Sequence, residues 1–501
     1  MKKYIFKLTC FTFLASTIIY SGCDKSKLDL MPHGPTEASY FLTETDFTKG
    51  VYGVYAKMSD FYWYNGGNSA IGMFMLPGDD ITTNASNDES EIFGSLQPSS
   101  GRVSYMYQKI YQMIGRANVV IEKTNSVANG VYTTPNLKNH HKGEALFLRA
   151  FGYYYLWNYY GTAPIRLERP LTSSDFTPAS STGTQLLDQA IKDLTEAATL
   201  LPTSWITSER GRVTANSANA LLGKALVFRA SATKNAADYT AAIAAFNKVT
   251  GLSLVPNFTH NFSDATENNS ESLFEFQAAK PFGSDNVWLD NDFDNPIGSM
   301  SIYWGHYSNH WSLFGGSRYF ATTKLLAAFN AADPRRAVTL DATNRNINKY
   351  NTSDNSTGGD PGSRDNYRIL RLADVKLLKA EAVLQSGGST TEAIGLINEV
   401  RTRARNMVPA GTFPADRSLT ETNKTTIMSW IMDERFIELA GEGQRWLDLR
   451  RWHLQGIITL DNNYFSSNVP MQFVAPRHLL LPIPNSERDV NLNVGQNVGY
   501  E

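Results

Sequence analysis

Aromatic and polar side chains are interspersed over residues 288–319, and this mixture is typical of a surface that binds sugar. Tryptophan and tyrosine rings stack on the apolar faces of sugars, while amides, carboxylates and arginine bond to the hydroxyl groups. Ser, Gly and Asn flank the rings, which favours an exposed position. We therefore predict a ligand-binding surface at Trp288, Tyr303, Trp304 and Trp311, in which the three tryptophans supply a stacking platform.

A second aromatic cluster lies near the start of the chain. The run Phe61–Tyr64 is followed by Asn65–Asn68, a polar stretch that contains two glycines. We predict that Trp63 and Tyr64 also contact the ligand. The alternative for both clusters is that the rings pack on a helical scaffold, as most Trp and Tyr residues do.

Two patterns in the first cluster resemble metal sites without completing them. His306 and His310 have the i, i+4 spacing of zinc ligands, but no Glu follows His306. The acids Asp290, Asp292 and Asp294 resemble the start of a calcium loop, but the expected Gly and the closing Glu are replaced. We therefore predict no metal site and no cofactor.

The adjacent acids Asp79 and Asp80 are the candidates for a catalytic role. Glycoside hydrolysis needs two placed carboxyl groups, and the sequence nominates no second acid beside this pair. Gly-rich phosphate loops and nucleophile elbows are also absent from the sequence. We therefore predict that these acids form a structural turn and that the chain is not an enzyme.

The first 22 residues are typical of a secretory signal peptide. Lys2, Lys3 and Lys7 precede an apolar run over Leu8–Tyr20, shorter than the roughly 20 residues of a membrane span. The run leads to Ser-Gly-Cys, which ends at Cys23 and is similar to a bacterial lipobox. We predict a signal peptide over 1–22, lipid attachment at Cys23 and a tether over 23–35, anchored at the membrane surface. The alternative is ordinary cleavage that leaves a free cysteine.

Helical periodicity recurs along the rest of the chain. The predicted helices in the first half are Tyr105–Val127, Gly143–Gly161, Gln185–Leu201, Ala215–Ala232 and Tyr239–Val249. Later, Leu370–Leu384 and Ala393–Ala404 flank Gly387–Gly388 and form a hairpin about the size of a tetratricopeptide repeat, roughly 34 residues. The repeat consensus is missing, so we describe these units as TPR-like.

The predicted fold class is mainly α, a TPR-like scaffold of helix pairs (an α-α superhelix) with a large, irregular, loop-rich region that binds the ligand. The predicted domain covers 36–501, with scaffold at about 36–250 and 366–501 and an insertion at about 254–365. The insertion is rich in Asn, Asp, Ser and Gly, and long loops inside compact domains are usually functional or disordered. Its aromatic residues favour function over disorder.

The string Ile431–Trp452 combines an apolar helical face with a row of like charges. Glu434, Glu438 and Glu442 follow one another at four-residue spacing, which is unfavourable in an isolated helix. The row therefore predicts basic partners from elsewhere in the fold. We expect Arg401 and Arg405, which share a helical face, to be among them.

The same string resembles the C-terminal signature of the SusD-like (RagB/SusD) family of nutrient-binding outer-membrane lipoproteins. Further blocks match that family in order over most of the chain, with Asn497–Val498 where Asn-Pro is more typical. These blocks are Pro77–Thr82, Ala145–Phe151 with the Gly-x-x-Pro exit at Pro164, Gly211–Thr214, Asn366–Arg368, Ala380–Ala382, Ile397–Arg401 and Leu480–Pro484.

The resemblance implies a surface lipoprotein of a Bacteroidetes-like Gram-negative bacterium, located in the outer membrane and facing outside. Such a protein binds an oligosaccharide and lies as a lid on a SusC-type TonB-dependent transporter, without chemistry of its own.

A net charge of −2 argues against a general nucleic-acid binder. The alternatives are a surface glycoside hydrolase and a TPR-like scaffold that binds only protein.

Overall fold

The computed structural model describes residues 40–62, 70–83, 93–278, 319–350, 363–409, 411–465 and 472–501. Its architecture is mainly helical, as predicted. The helices up to residue 250 are α1 (Glu44–Ala56), α2 (Ser59–Tyr62), α3 (Ile71–Met75), α4 (Gly101–Ser126), α5 (Leu137–Tyr160), α6 (Gln185–Leu200), α7 (Ala215–Thr233) and α8 (Ala236–Phe246).

The helices after residue 320 include the predicted late hairpin and the two halves of the signature string. They are α9 (Thr323–Ala328), α10 (Arg335–Thr339), α11 (Leu372–Gln385), α12 (Thr390–Arg405), α13 (Lys424–Glu438), α14 (Arg445–Gln455) and α15 (Asn485–Arg488). Short 3-10 helices lie at Ser173–Phe176, Thr207–Glu209, Phe258–Phe262, Asp264–Thr266 and Arg477–Leu479.

Side chains at the helix ends explain several of these boundaries. The hydroxyl of Ser100 accepts a hydrogen bond from the backbone N–H of Val103 and caps α4. Thr214 and Ser217 form a reciprocal capping arrangement at the start of α7. Helix α5 ends at Gly161, whose φ of 71° is costly for other residues. Local chemistry therefore starts and stops the scaffold helices close to the predicted positions.

Neighbouring helices pack against each other in sequence to form the scaffold. Helix α4 packs on α5, α5 on α6, α6 on α7 and α7 on α8. Helix α8 then packs on α11, which contacts both α12 and α13. Almost every residue of α5 from Gly143 onward is buried, as its apolar sequence predicts. The predicted TPR-like arrangement of helix pairs is confirmed.

Two small antiparallel sheets lie beside the scaffold. Strand β1 (Ile81–Thr83) pairs with β3 (Tyr319–Ala321), and β2 (Ser272–Phe276) pairs with β4 (Tyr367–Arg371). Within the part of 254–365 that the structure describes, the elements are β2, β3, the short helices α9 and α10, and 3-10 turns. The insertion as a separate unit stays a prediction. No helix in the described ranges has the length and apolar character that crossing a bilayer requires.

Candidate functional site

The predicted row of glutamates is buried and surrounded by arginines. Glu438, at the end of α13, lies 2.8 Å from a guanidinium nitrogen of Arg335 and 2.7 Å from one of Arg371. It also contacts Arg403. Burial raises the pKa of the Glu438 carboxyl, but the three guanidinium charges outweigh burial and lower it well below its usual range. The row is therefore a stabilised anionic centre.

The expected arginine partners are half confirmed. Arg401 lies 2.7 Å from Glu434, as predicted. The prediction for Arg405 is wrong, because this last residue of α12 instead donates to the carbonyl of Pro414 and pairs with Asp416 at 3.0 Å. The residue that faces the row from this part of α12 is Arg403, which the sequence did not distinguish from its neighbours.

Acids and bases from distant elements complete the network around the row. Glu271, just before β2, lies 2.8 Å from Arg371 and 2.9 Å from Arg403. Lys349 lies 2.7 Å from Glu442. Burial lowers the pKa of Lys349 to about 8, against the opposing charge of Glu442. These pairs tie the end of the insertion to the late hairpin and to α13.

The turn between α13 and α14 is tied to the acidic turn that precedes β1. Asp80 accepts a hydrogen bond of 3.0 Å from the backbone N–H of Gly441. Asp79 accepts from Arg445 and lies 2.5 Å from Lys324. Burial raises the pKa of Asp79, but the charges of Arg445 and Lys324 outweigh it and lower the pKa to about 2.

These contacts favour the structural interpretation of Asp79 and Asp80 over the catalytic one. Their residues are only 4% and 2% exposed, so a ligand in solvent has little access to either carboxylate. Burial raises the pKa of Asp80 to about 6, and the neighbouring charge of Asp79 raises it as well. The pair therefore works as a buried clamp between β1 and α14.

The ligand-binding residues that the sequence predicts all fall outside the described residues, so their contacts stay predictions. The same holds for the lipidation site and for both incomplete metal patterns. These positions are Cys23, Trp63, Tyr64, Trp288, Asp290, Asp292, Asp294, Tyr303, Trp304, His306, His310 and Trp311. Elsewhere, the described part of the chain contains no group of three or more His, Cys, Asp or Glu side chains that could hold a metal ion.

The described residues show where the segments that carry the predicted aromatic clusters join the fold. In the β1–β3 pair, Thr83 is the partner of Tyr319. Thr83 immediately precedes residues 84–92, and Tyr319 immediately follows residues 279–318. The described residues that flank these two segments are therefore direct neighbours in a sheet.

A second junction lies at the other sheet. In the β2–β4 pair, Phe276 is the partner of Tyr367. The ring of Tyr62 lies 5.0 Å from that of Phe276 and 4.9 Å from that of Tyr367, measured between centroids. Tyr62 immediately precedes Trp63, and Phe276 comes shortly before 279–318. The described residues that flank the two aromatic segments, Tyr62 and Phe276, therefore lie close together.

The short helix α3 connects the two junctions. Its Phe74 ring lies 6.0 Å from that of Tyr62. The hydroxyl oxygen of Tyr319 lies 2.9 Å from the position that a Cβ atom on Gly72 would occupy. A helix of five residues is roughly 7.5 Å long. The described residues that flank the two segments, Tyr62 and Tyr319, therefore both lie against α3.

Two family models match complementary parts of the chain. One, described as the SusD family, matches residues 322–500. The other, described as starch-binding and associating with the outer membrane, matches residues 36–227. The chain belongs to the SusD-like family. The first match covers the network around Glu438, and the second covers the scaffold from α1 to α7.

Individual SusD-like relatives align over the whole length. SusD-like protein P2 of Formosa agariphila is 27% identical, with 100% of both chains covered. A SusD homolog of Bacteroides thetaiotaomicron has a TM-score of 0.75 at 21% identity, with 92% of this chain and 98% of that chain covered. A laminarin binding SusD-like protein has a TM-score of 0.71 at 24% identity, with 91% and 100% covered. The SusD-like fold therefore extends over nearly the entire chain.

Sequence reasoning missed much of the network that supports this SusD-like site. Arg335, Arg371 and Glu271 each have less than 2% exposure, yet no local pattern marks any of them as a partner of the row. The unusual glutamate row was the one local signal that such partners exist. Their identity depends on tertiary contacts that span 67 to 132 residues of sequence, which spacing rules do not address.

Proposed function

We propose that this SusD-like chain is a cell-surface lipoprotein that binds an oligosaccharide and delivers it to a SusC-type TonB-dependent transporter of the outer membrane. Capture precedes import, and the transporter supplies the energy for uptake. The chain itself binds its ligand without cleaving it. The lipid on Cys23 holds it at the membrane, with the binding surface facing outside.

The observation that carries this proposal is the meeting of the segment ends around α3. Tyr62 and Phe276, which come shortly before the two aromatic clusters, have their rings 5.0 Å apart. The clusters supply the rings and amides that sugar recognition needs. The buried arginine–glutamate network beneath holds the surrounding elements in fixed positions, which lowers the entropic cost of binding. A rigid scaffold that anchors aromatic-rich segments is well suited to glycan capture.

The known relatives support a carbohydrate as the ligand. One matching family model is described as starch-binding, and one structural neighbour is a laminarin binding protein. Both ligands are glucans with apolar ring faces and many hydroxyl groups. We therefore propose a neutral glycan as the ligand class of this chain.

The direct test is a titration of the full chain against a panel of oligosaccharides that includes maltohexaose and laminarihexaose. We expect at least one to bind reversibly, while chromatography finds it intact after prolonged incubation. Release of shorter sugars would instead show a glycoside hydrolase. Failure of every member of a broad glycan panel to bind would overturn the proposal.

A further inference from the structure

A large cavity opens between α1, the turn at 207–212 and the end of β2. Its volume is about 780 Å³, within the range of roughly 300–1,000 Å³ that small-molecule sites occupy. Exposed and buried side chains both contribute to its wall. The lining residues that carry the argument are Tyr52, Tyr55, Ser208, Arg212, Phe276 and Gln277.

Tyrosine rings form one side of this cavity. The Tyr52 side chain is 42% exposed, and its hydroxyl donates a hydrogen bond of 3.2 Å to Glu209. Deeper in, the Tyr55 hydroxyl donates to Glu144 at 2.9 Å. Both rings therefore have fixed hydroxyl ends, which holds the aromatic faces in place for stacking.

The main polar group of the cavity is the guanidinium of Arg212, which is held on several sides. Glu144 accepts from its Nε at 3.0 Å, and Glu209 accepts from its Nη1 at 2.7 Å. The ring of Trp205 lies 3.6 Å from the guanidinium carbon, and that of Tyr52 lies 5.6 Å from it. The group is thus preorganised, and ordering it again on ligand binding costs little entropy.

The charges in this wall identify the class of ligand. Arg212 is already paired with Glu144 and Glu209, so it has no unbalanced charge with which to attract an ionic ligand. Of the other charged lining residues, Lys49 is exposed and screened by solvent. Glu275 is buried and paired with Arg368 at 3.4 Å. Stacking rings beside paired polar groups match a neutral molecule with apolar faces and many hydroxyls.

We propose that this cavity is a second glycan-binding site, which takes a neutral oligosaccharide segment. The described residues that line it differ from those of the predicted platform at Trp288, Trp304 and Trp311, and the inference rests on the proposed function. Phe276 and Gln277 line it, and Phe276 also contacts Tyr62 at the junction of the two aromatic clusters. The cavity therefore adjoins the described residues that come before the segment 279–318.

Isothermal titration of the full chain with the tightest-binding hexasaccharide of the panel tests this site. We expect two equivalents to bind per chain. The double variant Tyr52→Ala/Ser208→Trp removes a ring and fills the cavity. In this variant we expect one equivalent to remain bound and the affinity for the second equivalent to fall at least about tenfold. The matched control is Ile206→Ala, an exposed residue of the same turn that does not line the cavity.

A background variant separates the two proposals. In Trp288→Ala/Trp304→Ala/Trp311→Ala, we expect the cavity to retain one equivalent, which Tyr52→Ala/Ser208→Trp then removes. If the wild-type chain binds sugar and the cavity variants bind with unchanged stoichiometry and affinity, the second site is refuted and the proposed function stands. If the wild-type chain binds no glycan, both proposals are overturned.

Discussion

Arg450 and Arg451 are neighbours on α14, and both are buried, yet their surroundings differ. Arg451 lies 2.8 Å from Glu381 and 2.8 Å from Asp448. Arg450 stacks over Trp157 at 4.4 Å, while its Nε and Nη1 have no hydrogen-bond partner. Burial lowers the pKa of Arg450 to about 9. A buried cation without a carboxylate partner is costly, whereas removing one partner of a buried pair strands the other.

Methionine substitutions at these two positions should therefore have opposite outcomes. We expect Arg451→Met to lower the free energy of unfolding by about 3–5 kcal/mol, because Glu381 loses its bidentate partner. Arg450→Met should be neutral or stabilising, since it removes an unpaired buried charge and keeps the apolar stem. Urea unfolding followed by circular dichroism measures both. An equal loss for the two variants would contradict the assignment of partners.

Glu267 is the described carboxyl whose environment favours the protonated form near neutral pH. Burial, together with the nearby acids Glu275 and Asp365, raises its pKa to about 8 against the hydrogen bond from Asn366 and the charge of Arg368. The folded-state pKa therefore lies above the unfolded value. The corresponding stability is fully present below about pH 4.5 and is lost as pH rises toward 8.

The variant Glu267→Gln should remove this pH-dependent loss. Its side-chain oxygen can still accept from the backbone N–H of Asn366, which Glu267 accepts at 2.7 Å. We expect the variant to match the wild-type chain at pH 4 and to be more stable by about 1–2 kcal/mol at pH 8, after allowance for solvent screening. Free energies of unfolding measured for both proteins between pH 4 and pH 8 test this prediction. A difference that does not grow with pH would refute the account.

At the scale of elements, the turn between α13 and α14 has a conformation that favours glycine. Gly441 and Gly443 have φ angles of 71° and 66°. A Cβ atom on Gly443 would lie 2.7 Å from the hydroxyl oxygen of Tyr367, which donates to the carbonyl of Glu442. Both the backbone angle and the close approach exclude a side chain here.

Alanine at this turn should destabilise the chain, whereas alanine in a helix should not. We expect Gly443→Ala to cost about 1–3 kcal/mol through backbone strain and displacement of Tyr367. The control Gly395→Ala lies within α12, has open space around its Cβ position and should gain up to about 1 kcal/mol. Thermal unfolding of both variants tests the comparison. Equal melting temperatures would argue against a tightly packed turn.

The helices were predictable from sequence because apolar periodicity and end residues act locally. The segment predicted over Gln185–Leu201 forms α6 at Gln185–Leu200, and Gly387–Gly388 separates α11 from α12 as expected. The partner of Arg405 was not predictable in this way. Its position at the end of α12 places Asp416 within reach, and that proximity arises from the following loop.

At the scale of the whole molecule, we propose that lipid attachment at Cys23 determines the location of the chain. We expect Cys23→Ser to move the protein from the membrane fraction to the soluble fraction and to abolish fatty-acid labelling, since the anchor is lost. Cys10→Ser, in the predicted signal peptide, serves as the matched control and should behave like the wild-type chain. Continued membrane association of Cys23→Ser would contradict lipid anchoring at that residue.

Ring and amide content in the sequence predicts the kind of candidate site, but no fixed motif marks individual contacts, and these contacts stay predictions. The structure adds that Tyr62, Phe276 and Tyr367 come together at one junction, which linear distance along the chain conceals. The cavity around Arg212 also escaped sequence reasoning. Its wall combines residues from α1, the 207–212 turn and β2, and no local sequence pattern indicates that these three segments form a cavity together.

The most direct test of the central claim is the affinity of Trp288→Ala/Trp304→Ala/Trp311→Ala for the hexasaccharide that the wild-type chain binds most tightly. Isothermal titration should show the tighter site weakened by about a hundredfold or more, since stacking on several rings is lost. The control is Trp430→Ala, which should leave binding unchanged. Trp430 is a partly buried residue of α13 whose ring lies beside Arg417. Unchanged affinity of the triple variant would contradict glycan capture by these rings.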